Sequence, residues 1–219
     1  GVREFNLIAQ DSSFYGRDLN DGTTLARLLK ELVKIDNVKW IRLFYLYPTY
    51  FDDELLEIIT KEEKICKYVD IPLQHISDSV LRRMHRRDSS QSIKKLLKKL
   101  RNTTPYITIR TTLMVGFPGE TEADFKELLT FIKAVKFDNM GAFTYSAQDG
   151  TPAARMVDQV TEEIKENRYH ELMAAQAEIS EENNRNLIGV DTEVLVEELL
   201  DDGCGNLQAK GRASFQAPE

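Results

Sequence analysis

Apolar runs of strand length alternate along the chain with stretches whose apolar residues recur at helical spacing. That alternation predicts repeated βα units built on a parallel sheet. Strands are expected at Glu4 to Ala9, Trp40 to Leu46, Tyr68 to Leu73, Ile107 to Val115 and about Met140 to Tyr145. Helices are expected over Thr24 to Val33, from Asp52 onward, over Asp78 to about His85, over Ser90 to about Arg101, and after Thr121. Leu25, Leu28, Leu29 and Leu32 share one helical face, as do Ile93, Leu96, Leu97 and Leu100. Asp52 is a natural N-cap, and Thr121-x-x-Asp124 has the form of a capping box with Asp in place of Glu or Gln.

Such units either close into a (β/α) barrel or spread as an open parallel sheet, and periodicity does not separate the two. In both, ligands sit at the carboxyl ends of the strands. Gln10-Asp11, Tyr47, Gln74-His75, Gly116 to Glu120 and Tyr145 are therefore expected to converge on one mouth. Farther on, Thr161 to about Leu187 reads as one long, Glu-rich helix without glycine. After Gly189 the pattern changes to short strands, Thr192 to Leu199 and Leu207 to Arg212, around a turn at Asp201 to Asn206. The expected division is a core over 1–160, a connecting helix over 161–189 and the start of a small all-β domain over 190–219. The opening Gly1-Val2-Arg3-Glu4 and the end at Ala217-Pro218-Glu219 read as the middle of a longer polypeptide.

Composition narrows the class. With 42% hydrophobic residues the chain has the material for a core, and it holds no apolar run near the ~20 residues of a membrane span. Two distant cysteines, Cys66 and Cys204, exclude a disulfide-dense scaffold and a cysteine-only metal site within the chain, and a reducing cytoplasm fits best. A net charge of -7 argues against holding nucleic acid by bulk charge. One local exception stands out: between Leu81 and Asn102 nine basic residues, from Arg82 to Arg101, accompany a single acid, Asp88. Such a face is either solvated or docks an RNA-rich or acidic partner.

The strongest chemical signal is the run from Arg110 to Thr121. A strand leading into Gly116, Gly119 and a helix N-terminus brings backbone close to a ligand and offers N–H groups to polar or anionic atoms, although the same composition also makes a plain tight turn. Gln74 and His75 end a strand, whereas His85 and His170 read as surface residues. Asp11 suits either a turn or a ligand contact. Arg110, inside an apolar strand pattern, needs a carboxylate or ligand partner.

Four segments together resemble a known family: Leu113 to Thr121, Asp70 to His75, Tyr145-Ser146 with Gly150 to Ala153, and the Arg168 to Ser180 helix with Gln176. The chain is similar throughout to the catalytic core of radical S-adenosylmethionine methylthiotransferases joined to the start of a TRAM domain, an OB-like β-barrel module. The resemblance implies an α/β fold, a partial (β/α) barrel with outer helices, followed by that small all-β domain. It implies S-adenosylmethionine and two four-iron four-sulfur clusters in the full-length protein. One cluster sits on a C-x-x-x-C-x-x-C loop and generates the 5'-deoxyadenosyl radical, and the other, on three cysteines of an N-terminal domain, takes part in sulfur delivery. Neither cysteine set is present here, so the ligands are expected upstream, and the fragment holds no catalytic or metal-ligating residue and is expected to be inactive alone.

By the resemblance, Gln74, His75, Arg110, Val115, Gly116, Gly119 and Glu120 are the candidate cofactor contacts, and Gln10, Asp11, Tyr15 and Tyr145 line the mouth around substrate or cluster. Ala9 to Gly16, Tyr45 to Pro48 and Ala217 to Glu219 look like the family branch that adds a methylthio group to the β-carbon of an aspartate in protein twelve of the small ribosomal subunit. The other branch modifies tRNA adenosine. Implied partners are that ribosomal protein, with ribosome or RNA contact through the TRAM module and the basic face 82–101, and no membrane. Two readings compete. A non-radical barrel enzyme would need a Schiff-base lysine or a phosphate-gripping loop at the strand ends, and no lysine stands at any expected strand end; a binding module without chemistry would contact RNA through the acidic helix, the basic face and the β-domain.

Overall fold

The computed structural model describes every residue except Pro105, Asp202, Cys204, Gly205, Asn206 and Glu219. Cys204, most of the expected turn around it and the terminal Glu219 thus lie outside the described residues. Five strands, β1 (Glu4–Leu7), β2 (Trp40–Leu43), β3 (Ile65–Asp70), β4 (Thr108–Val115) and β5 (Asn139–Thr144), form one parallel sheet in the order β1-β2-β3-β4-β5. A doubly wound sheet reverses its strand order at a switch point. Here the order runs straight through, which decides for the barrel type.

The helices α1 (Leu25–Leu32), α2 (Asp53–Lys61), α3 (Asp78–Arg83), α4 (Ser90–Thr103), α5 (Glu122–Val135) and α6 (Glu162–Arg185) share one apolar core with the strands. Alternation sorts the strand residues. Ile41, Leu43, Ile65, Val69, Ile109, Leu113 and Val115 pack toward the helices, all essentially buried. Truncating such a side chain to Ala costs about 2–5 kcal/mol. The caps form as expected: Asp52 accepts from the Leu55 N–H at 2.9 Å, and Thr121 and Asp124 cap each other's backbone at 2.9 and 3.2 Å.

Strand boundaries differ from the pattern for local reasons. β1 stops at Leu7 rather than Ala9, and Asp11 then caps a 3-10 turn over Ser12–Phe14. β2 stops at Leu43 rather than Leu46, because Tyr45 takes a left-handed φ of 53° that no strand accepts. β3 begins at Ile65 and ends at Asp70, before Pro72, which has no N–H for the ladder. α3 stops at Arg83, and His85 turns the chain with φ 55°.

The sheet's other face, here the inner face, carries Glu4, Trp40, Arg42, Phe44, Cys66, Tyr68, Asp70 and Arg110. An antiparallel hairpin, β6 (Val194–Asp201) and β7 (Leu207–Ala213), reaches part of it. Leu195 and Ala217 pack on Trp40, Phe44, Cys66 and Tyr68. Fully buried Arg42 donates to Glu4 Oε1 at 2.8 Å and to the Ser214 carbonyl at 2.8 Å, and Arg212 donates to Glu4 Oε2 at 2.6 Å. Burying that much charge requires pairing of this kind. Among the described residues no helix is long and apolar enough to cross a membrane.

Candidate functional site

Because all five strands are parallel, the loops that follow them leave the same edge of the sheet. Two hollows open there. The first, about 310 Å³, is walled by Gln74, Met84, Arg86, Met114, Phe117 and Met156 with the Thr151 to Ala153 turn. The second, about 370 Å³, lies along Asp11, Phe14, Tyr15 and Leu19. A relay of contacts joins them. Ser13 Oγ donates to Asp11 Oδ1 at 2.5 Å and accepts the Tyr47 N–H at 2.9 Å, while the Arg86 guanidinium lies 4.1 Å above the Tyr47 ring.

The wall of the first hollow is apolar, with a few polar atoms left over. Phe117 and Tyr145 stack edge to face at 5.1 Å, and Val80, Met84, Met114, Ala153 and Met156 pack with them. Gln74, held at φ 69°, and buried Tyr145 each carry a side-chain oxygen with no hydrogen-bond partner, Gln74 Oε1 and Tyr145 Oη. Buried polar atoms of this kind are normally satisfied. The apolar wall suits a flat, partly apolar ligand, and the two oxygens lie beneath it without solvent exposure.

Behind it stands a buried ionic group. Gly116, at φ 73°, donates its N–H to Glu120 Oε2 at 2.6 Å, and Arg168 of α6 donates to Glu120 Oε1 at 2.9 Å. Burial pushes the Glu120 carboxyl up to about 7 against the pull of Arg168 and the Gly116 N–H. His75 Nδ1 accepts the Ser77 N–H at 3.0 Å, which leaves the ring proton on Nε2, 3.8 Å from Glu120 Oε2. Burial lowers His75 to about 4, so the ring is neutral at pH 7. Gly119, at φ 82°, donates to the Asp158 carbonyl at 2.8 Å.

These contacts correct one expectation. The N–H groups of Gly116 and Gly119 do not face a ligand, since Glu120 and Asp158 take both. Capping them lets the turn be buried without orphaned donors. His75, Val115 and Glu120 accordingly lie behind the hollow, with side chains almost or wholly buried, Tyr145 packs behind its wall against Phe117, and Gln74 lines it. Asp11 and Tyr15 line the second hollow and Gln10 is exposed beside it. Arg110 stands apart, on the inner face beside Asp70.

Two buried cations of α6, Lys165 and Arg168, join the site without belonging to any of its strand-end motifs. Lys165 runs its stem beneath Gly116 so closely that a Cβ there would fall 2.2 Å from Lys165 Cγ, and its ammonium lies 5.4 Å from the Tyr145 ring centroid. Both cations belong to the same buried stripe of α6 as Leu172, Ala175 and Ile179. Their phase with that stripe was the available signal. Met84, Met114 and Met156, scattered in sequence, gave none.

The basic face is less free than its composition implies. Arg83 pairs with Asp158, Lys94 with Glu127, Lys99 with Asp53 and Arg101 with Asp138. Among the described residues no group of three or more His, Cys, Asp or Glu side chains is placed to hold a metal ion. Cys66 is buried, and burial pushes its thiol up to about 11.

Comparison with known proteins adds to the geometry. The Radical SAM superfamily model matches residues 3–132. Curated relatives named ribosomal protein uS12 methylthiotransferase RimO align with the whole chain, at 50% identity in Geotalea uraniireducens and 52% in Citrifermentans bemidjiense. The chain spans 48% of the length of each. Among solved structures, Escherichia coli coproporphyrinogen III oxidase HemN, described as a radical SAM enzyme, superposes with a TM-score of 0.59 at 19% identity, over 71% of this chain and 36% of that one. The radical S-adenosylmethionine methyltransferase TsrM of Kitasatospora setae gives 0.56 at 16% identity, over 70% and 30%. At such identities these two likenesses concern the fold.

Proposed function

The chain belongs to the radical SAM superfamily, and on that premise we propose that it is the core of a methylthiotransferase acting on ribosomal protein uS12. In this reading the full-length protein adds a methylthio group to the β-carbon of an aspartate. One observation carries the proposal: proteins of that name align with the entire chain, with about half of the aligned positions identical.

The described residues fit the proposed cofactors unequally. The apolar wall of Met84, Met114, Phe117 and Met156, with the buried, unpartnered Gln74 Oε1 at its edge, suits the nucleoside of S-adenosylmethionine. They do not fit an iron–sulfur cluster, because no cysteine among them stands at the strand ends and no cluster of ligands occurs. When bound, a reduced cluster with S-adenosylmethionine supplies a carbon-centred radical able to take hydrogen from an unactivated carbon. This chain's share is different: it binds and orients the nucleoside, keeps water from the apolar wall and fixes the glycine turn through Glu120, Arg168 and Lys165.

The same proposal covers the organisation of the chain. We assign 1–160 to the barrel core, 161–189 to the connecting helix, and 190–219 to the start of a TRAM-like domain. Ribosome or RNA contact is placed on that domain and on Arg82, Lys95 and Lys98 of the basic face, for which no ion pair is found among the described residues. A cytoplasmic location follows from the ribosomal substrate.

The test is mass spectrometry after anaerobic reaction of the reconstituted full-length protein with S-adenosylmethionine, a reductant, and either uS12 or tRNA. The proposal expects uS12 to gain one CH2S unit, mapped to an aspartate. A gain confined to tRNA nucleosides, or to neither target, contradicts it.

A further inference from the structure

β5 is an edge strand, and among the described residues it pairs with β4 alone. The ladder is unbroken, with Asn139 to Thr144 opposite Arg110 to Val115 and no bulge. Met140 and Ala142 pack into the core, while Asn139, Gly141 and Phe143 take the opposite phase and are exposed. Away from β4, no backbone–backbone hydrogen bond of Met140 to Phe143 is found among the described residues. Gly141 consists of backbone alone, so its exposure is exposure of the strand itself, and a Cβ placed there would meet no atom within 4 Å.

An open edge is a row of N–H and C=O groups ready to pair, and chains normally guard it with a charge, a proline, a bulge or a very short strand. Asn139-Met140-Gly141-Ala142-Phe143-Thr144 has none of these guards. Its chemistry specifies the occupant. Neutral groups at strand spacing match a second extended backbone, whereas a nucleic-acid strand needs cations for its phosphates and this strand carries none. Position narrows the occupant further. β5 runs straight into Tyr145, packed behind the wall of the first hollow against Phe117, and Phe143, 40% exposed, is in register with Met114 of that wall. A strand laid along β5 therefore leads to the rim of the hollow.

We propose that the open edge of β5 receives the target segment of the protein substrate as an added strand. The proposal rests on the methylthiotransferase reading and deepens it. Pairing fixes the register of the segment, so that alternate side chains, the target aspartate among them, face the inner side of the sheet.

The experiment uses the full-length protein with its clusters and S-adenosylmethionine, with intact uS12 and, separately, with tRNA. Amide hydrogen exchange is followed on residues 139–144. At the amides of this strand not bonded to β4, uS12 is expected to slow exchange about tenfold or more, as new hydrogen bonds raise the local opening free energy. A second measurement uses semisynthetic uS12 carrying a single backbone N-methyl group, moved residue by residue through the target segment. At alternate positions the methyl removes a donor that points at the edge, and kcat/KM for methylthiolation should fall about tenfold; at intervening positions, where the N–H points away, it should be unchanged. Fast exchange at 139–144 while uS12 is bound and methylthiolated overturns the proposal. So does protection of those amides that is already complete without substrate, or an N-methyl series without a period of two. A wild type that neither binds nor modifies uS12, or protection of β5 by tRNA alone, removes the uS12 reading itself and is thereby told apart from the local failure.

Discussion

Replacing Glu120 by Ala tests whether the glycine turn is held from behind by the buried carboxylate. The substitution leaves Arg168, with 8% of its side chain exposed, in place without its nearest counter-charge. Removing one member of a buried pair costs about 3–5 kcal/mol. Here the low end applies, because Arg168 keeps the Glu120 main-chain carbonyl at 3.2 Å and Glu122 at 3.6 Å. The Gly116 N–H also loses its acceptor, a further loss of about 1 kcal/mol at the low end for an unsatisfied buried donor. The sum, about 4 kcal/mol, corresponds to about 8–16 °C in Tm for a chain of this size. The assay is urea and thermal unfolding followed by circular dichroism at pH 8, where the carboxylate is ionised. The double variant Glu120→Leu with Arg168→Met should recover much of the loss, since an apolar pair of similar volume removes both charges at once. A single-variant loss below about 1 kcal/mol, the scale of a solvent-exposed ion pair, would refute the reasoning, as would a double variant less stable than the single.

Three further outcomes are expected. Glu120 has a folded pKa of about 7, above its ordinary 4.5, so the native state holds more protons between those values. Its contribution to stability is therefore present in full below 4.5 and lost as pH rises through about 7. Denaturation profiles should show Glu120→Gln free of that decline, and an identical pH profile in wild type and variant contradicts it. Gly116→Ala places a Cβ 2.2 Å from Lys165 Cγ at φ 73°, combining about 1–2 kcal/mol of left-handed strain with about 1–3 kcal/mol of overpacking. Adding Lys165→Ala should restore only the packing share, and a full return to wild-type Tm would contradict the backbone argument. Cys66, buried with its thiol raised to about 11, should react with iodoacetamide at pH 8 far more slowly in the native chain than in urea; equal rates would contradict its place on the covered inner face.

What the sequence made legible was local. The Leu25, Leu28, Leu29 and Leu32 face, the Asp52 cap and the Thr121/Asp124 box each depend on residues within a turn or two of one another, and each formed. The alternation of strands and helices survived too, although β3 moved toward the N-terminus because Pro72 interrupts the apolar run that suggested it. The barrel became distinguishable from an open sheet only through strand order, a property of pairings between distant segments. The site shows the same division. That strand ends would converge followed from parallel topology, whereas the occupation of the Gly116 and Gly119 N–H groups depended on side chains whose placement is tertiary. Lys165 and Arg168 were hidden inside a helix that reads as acidic and solvated. The basic run from Arg82 to Arg101 looked free because the carboxylates that neutralise much of it, such as Asp53, Glu127, Asp138 and Asp158, lie far away in sequence. The Asp70 and Arg110 pairing required the β3/β4 register.

The most direct test of the central claim, that the carboxyl ends of these strands hold S-adenosylmethionine, is amide hydrogen exchange on the full-length protein with its clusters, with and without the cofactor. Added protection should fall on residues 74–76, 113–119 and 145–153, the segments that wall the first hollow and its back. Protection that leaves all three segments unchanged while appearing elsewhere on the chain would contradict the account.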